Sequence, residues 1–107
     1  MADIKWEEEA IGIINDIKPF VKEICVANKQ ENIEHMILLN LETYEHDKFC
    51  IKLCETGLAV VGRNYDTVDM VDIKIWYETP YALLTNLSKS YIERFKQSLF
   101  DKLQNLR

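Results

Sequence analysis

A chain of 107 residues with 48% hydrophobic and 29% charged side chains has the size and composition of one globular domain with one core, which excludes wholesale disorder. Thirteen basic residues against eighteen acidic ones leave a net charge of -5, which argues against a protein built to grip nucleic acid or an anionic membrane. The charge is polarised: residues 1–17 carry five acidic side chains against one basic, a net of -4, while residues 88–107 carry five basic against two acidic, a net of +3.

Three cysteines are an odd number, the opening residues lack the apolar core of a leader, and no run approaches the ~18 apolar residues of a membrane span. A reduced intracellular protein is expected, cytoplasmic and small enough to diffuse into the nucleus. With only three glycines, two prolines, no linker-like stretch and no repeat, residues 1–107 read as a single domain.

From Lys5 to about Cys25, Ala10, Ile13, Ile14, Ile17, Val21, Ile24 and Cys25 recur at three- and four-residue steps, the stripe of an amphipathic helix. Pro19 removes a backbone donor inside it, so a kink or break is expected near residues 16–18. After the polar stretch 28–34, residues 36–43 alternate around Ile37, Leu39 and Leu41, and residues 48–54 around Phe49, Ile51 and Leu53, which predicts two strands. Glu55-Thr56-Gly57 supplies a turn, and residues 58–65 a third strand folded back on the second. Residues 64–69 loop out, and Val71, Ile73, Ile75 and Tyr77 alternate with polar or aromatic residues in the pattern of a fourth strand.

Thr79-Pro80 is a helix-start pair, a threonine that caps free amides followed by a proline already shaped for the first helical position. A short helix over 80–87 follows. Ser90 and Glu93 then have capping-box spacing and open a last helix, residues 90–106. The expected fold is α+β: an N-terminal helix, a four-stranded mostly antiparallel sheet and two C-terminal helices covering one face.

Little in the chain points to catalysis. His35, His46, Cys50 and Cys54 are the metal-ligating candidates, but Cys50 and Cys54 lie about 13 Å apart on one strand at ~3.3 Å per residue, beyond one zinc ion or one disulfide. No nucleophile stands near a base with an orienting partner, and no Gly-rich phosphate loop exists. A non-enzyme without metal or cofactor is expected. Trp6, Trp76 and Tyr77 are assigned to packing rather than base stacking, given the acidic balance.

The last helix carries more information. At about 100° per residue from Phe95, Leu106 falls at about 20°, Leu99 at 40°, Ile92 at 60° and Leu103 at 80°, with Phe100 apart at 140°. One reading is that the whole stripe caps the sheet. The other is that Tyr91, Ile92 and Phe95 dock while Leu99, Phe100, Leu103 and Leu106 overhang and offer themselves to a groove on another protein.

At this helix the sequence resembles the glycogen synthase kinase-3β interaction protein family. The likeness runs through Glu42-Thr43, 49–53, 55–62, Glu78-Thr79-Pro80-Tyr81-Ala82-Leu83-Leu84 and Leu87-Ser88-Lys89-Ser90-Tyr91 into Phe95, covering most of residues 8–107. The resemblance implies a non-catalytic binder or inhibitor of glycogen synthase kinase-3 in Wnt signalling, acting through an axin-like C-terminal helix. The axin-like pattern falls on Phe95, Leu99 with Phe100, Leu103 and Leu106, with Leu103 as its central leucine. Family members also anchor protein kinase A through the first helix. Here Lys18 and Pro19 stand where anchoring members carry apolar residues, so binding of that kinase's regulatory subunit is expected to be absent or weak. The alternatives are a scaffold that anchors protein kinase A through the N-terminal helix, or a purely structural interaction module.

Overall fold

The computed structural model describes residues 5–28, 30, 35–69 and 73–104. In chain order they form α1 (Trp6–Ile17), β1 (Glu23–Val26), β2 (Met36–Glu42), β3 (Lys48–Cys54), β4 (Gly57–Gly62), α2 (Pro80–Leu87) and α3 (Tyr91–Gln104). The four strands make an antiparallel sheet in the order β1-β2-β3-β4, so the expected α+β class holds.

Glu7, Glu8 and Glu9 fill the first turn of α1, where the helix dipole favours negative charge. The helix ends at Ile17 because Lys18-Pro19-Phe20 tighten into a 3₁₀ turn, and Val21 is already extended. The expected helix to Cys25 is therefore corrected: residues 23–26 are an edge strand, in register with β2 from Glu23 opposite Glu42 to Val26 opposite Leu39. Proline stops the helix, and the β-branched Ile24 and Val26 suit the extended chain that follows.

The alternation in β2 and β3 divides two faces. Ile37, Leu39 and Leu41, with Phe49, Ile51 and Leu53, pack with Ala10 and Ile17 of α1, Leu83 and Leu84 of α2, and Tyr91 of α3. On the other face Leu38 and Cys50 join Ala27 and Val61, covered by Val68 and Ile73 from the β4–α2 connection. Buried Asn40 is satisfied from that connection: its Nδ2 donates to Asp66 Oδ1 (3.1 Å), and Asp66 N–H donates to its Oδ1 (2.9 Å).

Two turn expectations are met. Gly57 has φ 135°, where a side chain would be strained, and a Cβ there would lie 2.6 Å from Tyr77 O. Thr79 caps α2 by accepting from Ala82 N–H (3.1 Å), with Pro80 in the first turn. The fourth strand expected from 71–77 is corrected. Residues 73–76 are not strand, and Tyr77 makes a single antiparallel bridge with Leu58, while Val71 and Asp72 lie outside the described residues. Ile73 and Tyr77 pack into different clusters and Ile75 is exposed, so the apolar alternation in the sequence marks neither a common buried face nor a ladder.

Candidate binding helix

Fourteen residues without glycine or proline form α3. Tyr91 is 4% exposed, whereas Phe95, Leu99, Phe100 and Leu103 are 41%, 49%, 54% and 60% exposed. The helix therefore docks by Tyr91 and one side of Phe95, and overhangs from Leu99 onward. Ile92, expected to dock, is exposed as well, because it points with Leu99 and Leu103 rather than with Tyr91. Leu106 lies outside the described residues. The chain measures 48 × 34 × 24 Å, with a radius of gyration of 14.6 Å against about 13 Å for a compact domain of this length. A projecting helix fits that elongation.

An exposed row of large apolar side chains at three- and four-residue steps loses free energy in water and regains it in an apolar groove. Ionised groups border it: Lys96 and Lys102 are exposed, as are Glu93 and Asp101. Gln97 Nε2 donates to Asp101 Oδ1 (3.1 Å), an (i, i+4) pair that supports the helix where the domain does not.

Two devices hold the root of α3. The first is aromatic: Phe20, from the 3₁₀ turn after α1, meets the ring of Tyr91 edge-on (5.6 Å between centroids) and that of Phe95 at a tilt (5.9 Å), while Tyr91 and Phe95 also touch (5.9 Å). The second comes from the β2–β3 turn. Glu45 Oε1 accepts from Ser88 Oγ (2.8 Å) and Oε2 from Ser90 N–H (2.7 Å), and the Arg94 guanidinium stacks 3.6 Å from the centre of the Tyr44 ring.

The capping box is thus corrected. The Ser90 carbonyl accepts the first helical bond, from Arg94 N–H (3.0 Å), so Ser90 is the cap residue, but its own N–H goes to Glu45 rather than to Glu93. A carboxylate tied into the fold reaches that donor from across the chain and leaves Glu93 in solvent.

Burial tends to raise the Glu45 pKa. The hydrogen bonds from Ser90 and Ser88 outweigh it and push the value down to about 2 from 4.5. A depressed folded pKa means that the ionised form stabilises the fold: the contribution is complete above about 4.5 and is lost as pH falls toward 2. The NMR shift of the Ser90 amide proton should accordingly titrate with a midpoint near 2. A midpoint near 4.5 would contradict the pairing.

A family model described as the GSKIP domain matches residues 6–106. Over 107 residues, all of this chain and 76% of the relative, the sequence is 35% identical to the GSK3-beta interaction protein of Macaca fascicularis and equally to the GSK3B-interacting protein of Homo sapiens. It is 24% identical over 89 residues to the Protein GSKIP homolog of Drosophila melanogaster, spanning 81% of this chain and 75% of that one.

Proposed function

The chain belongs to the GSKIP domain family, and on that premise we propose that it is a non-catalytic binding protein whose partner is glycogen synthase kinase-3. The observation that carries the reading is the overhang of α3: Leu99, Phe100 and Leu103 stand away from the core in the spacing that a helix-binding groove receives. The relatives' names supply the partner, since they are called interactors of that kinase.

Phe95, Leu99, Phe100, Leu103 and Leu106 enter the groove of the kinase that axin also uses. One groove holds one helix, so the protein inhibits the kinase wherever axin must recruit it, in Wnt signalling above all. Burying each of these side chains contributes roughly 1.5–3 kcal/mol, against which stand the ordering of the side chains and the loss of free tumbling. Titration of the chain against the kinase, with an axin helix peptide as competitor, tests the reading. Mutually exclusive binding is expected, and simultaneous binding of both would refute the shared groove.

Anchoring of protein kinase A is not part of this function. Ala10 and Ile17 of α1 are consumed by the core, and Lys18-Pro19 end the helix where a continuous docking stripe would have to run. No association with the regulatory subunit dimer is expected by calorimetry. A dissociation constant below about 1 μM would overturn this expectation.

A further inference from the structure

Between the end of α2 at Leu87 and the start of α3 at Tyr91 lie three residues, and rotation about their backbone bonds is enough to swing α3 on the domain. Both sides of that hinge are tied to one carboxylate. Ser88, buried and bonded back to α2 through its N–H (to Leu84 O, 2.9 Å), donates its hydroxyl to Glu45 Oε1, while Ser90, the cap of α3, donates its N–H to Oε2. Tyr44, next to Glu45, holds Arg94 one turn into the helix.

The turn that presents these two residues is itself braced. Thr43 is wholly buried, its N–H donates to Asp47 O (2.9 Å) and its Oγ1 accepts from Asp47 N–H (3.3 Å). His46 takes a left-handed φ of 69° and donates its N–H to Thr43 O (2.9 Å). A braced loop of the sheet thus grips the short connection between two helices.

Resting on the kinase-binding reading, we propose that Glu45 and Tyr44 are positioning residues: they hold α3 at the angle at which the kinase receives it, and so govern affinity without touching the kinase. Leverage is the reason. Leu103 stands thirteen residues beyond Ser90, about 20 Å along the axis at ~1.5 Å per residue, so a swing of ~10° displaces it by roughly 3 Å. That is enough to move a leucine out of its pocket. A helix that wanders over such angles presents a binding-competent geometry for only a fraction of the time, and apparent affinity falls by that fraction.

The test uses the full chain with Glu45→Gln, which removes the charge and leaves one carbonyl oxygen where two carboxylate oxygens accepted from Ser88 and Ser90, and with Ser88→Ala, which releases only the other side of the hinge. Residual dipolar couplings measured without the kinase read the orientation directly. The couplings of α3 and of the sheet should share one alignment in the unaltered chain, and those of α3 should shrink in Glu45→Gln while the sheet's persist. Kinetics with the kinase should then show an association rate lower by about tenfold and a dissociation rate nearly unchanged, with Ser88→Ala between the two.

Unaltered α3 couplings in Glu45→Gln, or an unaltered association rate in a folded variant, would overturn the proposal. Absence of kinase binding by the unaltered chain would instead refute the reading on which it rests, and the couplings would still decide whether the clamp orients the helix.

Discussion

Leu103→Ala is expected to weaken kinase binding by roughly ten- to hundredfold while leaving the fold untouched. The side chain is 60% exposed in the free domain and belongs to neither core cluster, so truncating it costs the domain little. On the proposed reading the same side chain enters the groove with Leu99 one turn before it, and burial of its exposed surface is what the truncation forfeits. Thermal unfolding followed by circular dichroism should give nearly the same midpoint for both chains. A titration with the kinase should separate them, mainly through faster dissociation. Equal affinities would remove α3 from the binding surface.

Gly62→Ala is expected to do the reverse. A Cβ on Gly62 would collide with the backbone carbonyl of Thr67, and a backbone atom cannot turn aside as a flexible side chain can. The connection after β4 would have to shift. That connection carries Asp66, which satisfies buried Asn40 and also accepts from Asn28 N–H (2.7 Å), so displacing it strands polar groups inside the domain. A loss of at least about 2 kcal/mol is expected, read as a melting temperature lower by roughly 10 °C. Because the damage falls on the face of the sheet away from the helices, the folded fraction should keep its affinity for the kinase. An unchanged melting temperature would mean that the close approach of Gly62 and Thr67 is not a structural requirement.

The contrast between these variants reflects how differently fold and site were written into the sequence. The strands β2 and β3 were legible because burial on one face imposes a period of two, and α2 because Thr79-Pro80 marks a helix start chemically. The short strand β1 was not legible. Its four residues are too few to show a period, and Ile24 and Cys25 continue by coincidence the spacing of the helix before Pro19. Residues 73–77 misled in the opposite sense: their apolar alternation accompanies a single bridge and no common buried face, since Ile75 is exposed and Ile73 and Tyr77 pack in different clusters.

Within the site, the apolar row on α3 could be read directly because the helical period places Phe95, Leu99 and Leu103 together, and the structure exposes all three. The grip of the β2–β3 turn was hidden. Glu45 lies 45 residues from Ser90, while Glu93 offers the local spacing that capping usually exploits. No short-range pattern distinguishes the two carboxylates, and only the folded chain brings the remote one nearer. Phe20 was hidden for a similar reason: it follows the proline that breaks α1, and its partners Tyr91 and Phe95 are more than seventy residues away in sequence.

A helix of fourteen residues that buries one side chain gains little from its own domain, and a helix of that length is marginal alone in water. The clamp at Ser88 and Ser90 and the rings of Phe20, Tyr91 and Phe95 hold its root, and a partner's groove would hold the remainder. Amide hydrogen exchange on the chain, with and without the kinase, reads that division most directly. Protection should rise in the kinase complex over residues 95–104, with the sheet unchanged. Protection confined to other segments, with 95–104 exchanging as fast in the complex as in the free chain, would contradict the assignment of α3 as the kinase-binding element.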